Sequence, residues 1–129
     1  MTNRSRDWYR QSLRDLEQAR ESMRSERHEW ACFASHQSAE KGVKALHLFY
    51  NQEAWGHVVR VLLEELPSTI DVPEELIEKA RVLDSYYIPT RYANGHPEGA
   101  PFEHYGILQS REAVKYAGEI IKFCRSQMA

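Results

Sequence analysis

Cysteine is nearly missing from this chain: Cys32 and Cys124 are the only two in 129 residues. Neither sits in a Cys-x-x-Cys pair, so the spacing holds no disulfide framework and no zinc-ligand set. Both fall at helical positions and are expected to be buried, reduced thiols. Long hydrophobic runs are missing as well. The apolar stretches are a few residues long, far short of the roughly 20 that cross a bilayer. The opening MTNRSRDWYRQ lacks the apolar segment of a secretory signal. These absences lead us to expect a cytoplasmic protein with no membrane partner. An excess of positive charge is also lacking: 17 Lys and Arg face 19 Asp and Glu, a net charge of −2. That argues against a sequence-independent grip on long nucleic acid and leaves room for a local basic pocket. There is no strand-like alternation of useful length and no internal repeat.

Glycine and proline are sparse, six and five, but unevenly placed. Three of the prolines and two of the glycines crowd into YYIPTRYANGHPEGAP, residues 86 to 101. The rest of the chain reads as helix. With 42% hydrophobic and 28% charged residues, its composition is that of a globular protein, and its length is that of a single domain, 1–129.

From Ser5 to Arg24, the residues Trp8, Leu13, Leu16, Ala19 and Met23 fall on one helical stripe, opposite Arg14, Asp15, Arg20 and Glu21. From Glu29 to Tyr50, apolar and small residues cover well over half of the wheel. That is the pattern of a central helix packed on several sides, with Ala31, Ala34, Ser38, Ala39 and Gly42 allowing close approach. Its polar strip, His36, Gln37, Glu40, Lys44 and His47, is expected to face a cavity, a dimer partner or water. A third helix is expected from His57 to Leu66, closed by Pro67. A fourth starts at Pro73 with Glu74 and Glu75 at the positive end of its dipole, and runs to Pro89. Ser110 is a plausible N-cap for a last helix reaching about Ser126. The expected fold is all-α, a bundle of about five helices. The connection over residues 88 to 109 is long for a compact domain, which points to a functional segment.

Three stretches in order carry a resemblance: WACFASHQSAEKGVKALH, GHVVRVLLEELP and LDSYYIPTRYANGHPEGAPFEHY. Together they resemble the HEPN domain over about residues 5 to 125. The resemblance implies an up-and-down helical bundle, a homodimer, and a separately encoded minimal nucleotidyltransferase as partner in a toxin–antitoxin-like module. It also implies contact with nucleotide or RNA. Many members are metal-independent ribonucleases whose site forms at the dimer interface around an arginine followed, after four to six residues, by a histidine. Arg91 and His96 satisfy that spacing, with Tyr92 where a polar residue is usual in that motif.

The chemistry of such a pair is coherent. A guanidinium matches phosphate oxygens bidentately, and an imidazole can take the proton of a ribose 2′-hydroxyl. The plain alternative is that Arg91 pairs with a carboxylate such as Asp84 while His96 sits wet on the loop. Tyr86, Tyr87, Tyr92 and Tyr105 flank the same stretch, either stacking on bases or anchoring the loop. Arg91, Tyr92, Lys41, Lys44 and His57 are the candidate nucleotide- or RNA-binding residues, and Arg91 with His96 the candidate catalytic pair. His57 would be a helix-start residue by default and a ligand contact by conjecture. Glu40 and Lys44 form an ordinary i, i+4 pair. His36 and Glu40 are only two potential metal ligands, with His47 too far along the axis to join them, so neither a metal site nor another cofactor is expected. A ligand-free helical scaffold remains the third possibility.

Overall fold

The computed structural model describes residues 4–128; of the domain expected over 1–129, the first three residues and Ala129 lie outside them. Five α-helices follow in order: α1 Ser5–Arg24, α2 His28–Phe49, α3 Val59–Glu64, α4 Glu74–Asp84 and α5 Ile107–Ser126. Two short 3-10 turns, Ala93–Gly95 and Pro101–His104, interrupt the long connection. No strand occurs among the described residues.

α2 is the central element and touches all four other helices. Its small residues explain why. Ala31, Cys32, Ala39, Val43 and Ala45 are fully buried, and Gly42 sits where α5 crosses. A Cβ on Gly42 would lie 3.3 Å from Cγ1 of Ile121, so the absence of a side chain sets how close the two helices come. α1 approaches in the same manner, along a line that keeps Leu16 and Ala19 of the expected stripe, leaves Trp8 and Met23 half-buried, and is shifted towards its serines. Its buried line is Ser5, Ser12, Leu16, Ala19 and Ser22, whereas Leu13 is exposed. Small hydroxyl side chains can be buried because their donors are satisfied: Ser12 Oγ donates to the carbonyl of Tyr9 within α1, and Ser5 Oγ to that of Ala45 on α2. Periodicity weighted by hydrophobicity overlooks such a face.

The core gathers Leu46, Val59, Leu62, Leu63, Leu83 and Ile120 around α2, all at or near zero exposure. Each such side chain contributes about 1.5–3 kcal/mol of transfer free energy. Cys32 and Cys124 are buried, free thiols, and burial pushes both up to about 12.

Three element boundaries differ from the sequence reading. α3 starts at Val59 rather than His57, because Asp84 takes the amide protons of Val59 and Arg60 at 2.7 and 3.0 Å and so caps the helix from a distant position. α4 ends at Asp84 and passes into successive turns through Arg91. α5 begins at Ile107, so Ser110 is not its cap; it is buried within the first turns, and its hydroxyl bonds Nδ1 of His28 at 2.8 Å. That contact ties the start of α5 to the start of α2.

Candidate functional site

Arg91 stands where the turns after α4 pass α2. Its Nε–H donates to the carbonyl of Tyr87 at 2.9 Å, and its Cζ lies 4.4 Å from the Phe33 ring, 4.7 Å from Tyr87 and 5.1 Å from Tyr92. The guanidinium is therefore held by one carbonyl and three aromatic rings. It makes no ion pair among the described residues; Asp84, its expected carboxylate partner, is engaged elsewhere. Cation–π contact of this kind orients a guanidinium without neutralising it. The remaining N–H donors keep their charge and their fork.

Asp84 belongs to a buried support. His36 is fully buried, and its Nε2 lies 2.9 Å from the carbonyl of His57 and 3.1 Å from Oδ1 of Asp84. Gln37 places its amide nitrogen 3.2 Å from Nδ1 of the same ring, which puts the imidazole proton on Nε2. His47 works in parallel, with Nε2 at 2.8 Å from the carbonyl of Leu62. The polar strip of α2 thus faces α3 and the segment leading into it, and its two histidines satisfy backbone carbonyls there. Neither is placed as a metal ligand, and no group of three potential ligands gathers among the described residues.

His57 sits on that support. Its carbonyl accepts from His36, its ring stacks on Tyr87 with centroids 5.0 Å apart, and its Nδ1 lies 3.1 Å from Oε1 of Glu40. Glu40 is nearly buried while the His57 side chain is 55% exposed. The other oxygen of Glu40 accepts from Lys44 at 3.1 Å. Tyr87 is consequently a shared wall: Arg91, His57, Phe33 and His36 all border its ring. Sequence reasoning placed Gln37 in the polar strip and offered Asp84 as a partner for Arg91, but did not single out Phe33. The available signal was that Phe33, Gln37 and Glu40 share a helical face with spacings of four and three.

His96 has other neighbours. Its Nε2 donates to the carbonyl of Pro89 at 2.7 Å, and its ring lies flat against His104 with centroids 4.0 Å apart and 5.8 Å from that of Tyr105. His104 in turn donates to the carbonyl of Glu98 at 2.7 Å. Gly95 lets this turn close, since a Cβ there would meet Cα of Pro89 at 3.0 Å. Buried Thr90 fixes the same segment by donating to the carbonyl of Tyr86. The stretch 86 to 101 is thus a packed loop. Among the described residues, Arg91 and His96 share no hydrogen-bond or ring partner. Tyr86 is buried and Tyr105 half-buried, and burial raises both hydroxyls above their ordinary range. Tyr92, by contrast, is half exposed.

The two candidate lysines are both ion-paired. Lys41 Nζ lies 2.5 Å from Oδ2 of Asp15, and Lys44 pairs with Glu40 beneath the ring of Trp8. Lys41 lines an open cavity of about 550 Å³ between α1 and α2, whose wall includes Trp30, Phe33, Gln37 and Arg27. That volume is within the range of small-ligand sites. Phe33 joins this cavity to the Arg91 cluster, so an aromatic ring and several cations border one face of α2.

The HEPN domain family matches residues 5–127. The chain belongs to the HEPN family. Solved structures agree. The crystal structure of TT1696 from Thermus thermophilus is 46% identical, covers 98% of this chain and 99% of its own, and superposes with a TM-score of 0.96. ST0689, described as an archaeal HEPN homologue, is 36% identical over 99% of this chain and 100% of its own, with a TM-score of 0.85. A HEPN domain protein from Thermotoga maritima, tm0613, is 35% identical over 93% and 95%, with a TM-score of 0.75. No curated protein matches the chain. The helical bundle expected from the resemblance is the HEPN fold, and among the described residues no helix is long and apolar enough to cross a membrane.

Proposed function

We propose that this HEPN protein binds a phosphate-bearing nucleotide or an unpaired stretch of RNA on the face of α2 bordered by Arg91. The observation that carries the reading is the state of Arg91: its guanidinium is held by the Tyr87 carbonyl and three rings, and no carboxylate pairs with it among the described residues. An oriented, unpaired guanidinium favours phosphate, and half-exposed aromatics such as Tyr92 and Trp30 suit base stacking. Lys41 borders the adjoining cavity as a second source of positive charge. Lys44 and His57 take part through Glu40, which holds both.

The protein acts as a homodimer and as the cytoplasmic partner of a separately encoded minimal nucleotidyltransferase, in a toxin–antitoxin-like pair. Family membership supports this, as does the apolar surface at one end of the bundle. Trp30, Tyr92, Phe102 and Leu108 are all about half exposed or more, near where His28 and Ser110 join α2 to α5. Surface of that kind suits a protein partner.

A thermal-shift titration with nucleoside monophosphates and short single-stranded RNA tests the binding reading. Stabilisation that Arg91→Ala abolishes supports it, since only ligands of the native state raise the midpoint. No stabilisation by any of these ligands favours a ligand-free scaffold. Sedimentation analysis tests the homodimer, and gentle co-purification from the native host tests the nucleotidyltransferase partner.

A further inference from the structure

A further cavity, of about 270 Å³, opens where the start of α1, the last turns of α2 and the connection to α3 meet. Its walls are the indoles of Trp8 and Trp55, together with Leu48 and Ala54. Trp55 is 80% exposed, more than any other large hydrophobic side chain among the described residues. An indole left in water beside a cavity gains by being covered, because few side chains carry as much apolar area. The cavity is smaller than the roughly 300–1,000 Å³ of drug-sized sites, which limits an occupant to one or two rings. It lies apart from the Arg91 cluster: Lys44, on its border, stands eleven residues beyond Phe33, about 16 Å along α2.

Lys44 supplies the polar feature. Its side chain is only 13% exposed, and its Nζ lies 5.8 Å from the centroid of the Trp8 ring. An ammonium carries three donors. One goes to Oε2 of Glu40 at 3.1 Å, and the hydrogen bonds of the described residues give Nζ no second acceptor. Recessed donors are ordinarily paired, so the cavity presents an ammonium with donors to spare beside an aromatic wall. Arg4 borders the same cavity with its Nε on Asp7. Glu53 borders it too, and has no ion pair among the described residues. The complement of that border is a carboxylate for Lys44 and Arg4, and an ammonium for Glu53.

We infer that this cavity is a binding site for a small aromatic carboxylate, its ring covered by Trp8 and Trp55 and its carboxylate on Nζ of Lys44. Offset or edge-on packing against two indoles favours a planar ring over an alkyl chain. The carboxylate accepts from the spare donors of Lys44, a charge-assisted bond made on a recessed side chain. Glu53 suits the ammonium of an aromatic α-amino acid. Free aryl acids and aromatic amino acids thus share the chemistry of the site, and the ammonium decides between them. The inference stands on α1, α2 and the connection that follows, and does not depend on Arg91.

The test follows the indole N–H resonances of the three tryptophans in the full chain by NMR, assigned with Trp8→Phe, Trp30→Phe and Trp55→Phe. Phenylacetate, indole-3-acetate, L-phenylalanine and L-tryptophan are titrated. Acetate and phenethylamine are the controls that lack the ring and the carboxylate. The expected result is saturable shifts of the Trp8 and Trp55 signals at about 1 mM ligand or below, with Trp30 unmoved and no response to either control. Trp55→Ala and Lys44→Met each weaken binding about tenfold or more. Circular dichroism confirms that each variant folds; Trp55→Ala, on an exposed side chain, serves if Lys44→Met does not. Amino acids that bind more tightly than aryl acids, with the gain lost in Glu53→Gln, assign the ammonium to Glu53. Equal or weaker binding of the amino acids supports a plain aryl acid. No shift with any of the four ligands, shifts confined to Trp30, or phenethylamine binding as tightly as phenylacetate overturns the inference.

Discussion

Arg91 donates its Nε–H to the carbonyl of Tyr87, 2.9 Å away, and lays its guanidinium 4.7 Å from the centre of the same residue's ring. One residue therefore contacts the cation through both its backbone carbonyl and its ring. Lysine lacks the planar fork that makes both contacts at once. Arg91→Lys is expected to lose most of the nucleotide affinity, at least about tenfold, although it keeps the charge. The cost to folding is about 1–3 kcal/mol, the scale of one part-buried, charge-assisted hydrogen bond with its ring contacts. Isothermal titration beside urea denaturation separates the two effects.

Asp84 accepts three hydrogen bonds, from the amides of Val59 and Arg60 and from Nε2 of His36. Replacing it removes the cap of α3 and leaves the buried His36 Nε2–H with the His57 carbonyl as its one remaining acceptor. Asp84→Ala is expected to destabilise the fold by about 2–4 kcal/mol. An equilibrium denaturation midpoint unchanged from the parent would contradict this.

The loop closes where Gly95 passes Pro89. Gly95→Ala places a methyl group 3.0 Å from backbone Cα of Pro89, and backbone cannot swing aside as a side chain end can. The expected cost is about 1–3 kcal/mol. Faster amide exchange confined to residues 89 to 104 would accompany it, a local loosening with the bundle retained.

Burial raises the thiols of Cys32 and Cys124 from 9.0 to about 12. The folded protein keeps its protons on both while the unfolded chain releases them above pH 9. The unfolded state then binds fewer protons, and stability falls as pH rises from about 9 towards 12. Each thiol contributes up to about 1.4 kcal/mol per pH unit in that window. Denaturation series at pH 8 and pH 10 measure the slope. In native protein at pH 8, neither thiol should react with a disulfide reagent on the timescale of the unfolded control.

Much of this molecule is legible in its sequence, and the gaps have physical causes. The central role of α2 follows from its small residues, and Gly42 against Ile121 bears that out. The buried serines of α1 were hidden because their burial depends on hydrogen bonds to carbonyls, which a hydrophobicity pattern does not register. Asp84 capping α3 is invisible for a related reason: donor and acceptor are 25 and 24 residues apart. Arg91 stands out in the sequence through its loop. Its real neighbours, Phe33 and Tyr87, come from α2 and from the turns after α4, and required the fold. The same holds for Glu40 and His57, seventeen positions apart. The resemblance paired Arg91 with His96 through their spacing; within one chain the two side chains make different hydrogen bonds and ring contacts.

The claim on which the account rests is that Arg91 meets a ligand phosphate. Its most direct test is the salt dependence of short single-stranded RNA binding by the parent and by Arg91→Ala. The account predicts an affinity at least about tenfold lower for the variant and a log–log salt slope shallower by about 0.7, the loss of one phosphate contact on a single strand. Equal affinity and equal slope for the two proteins would contradict it.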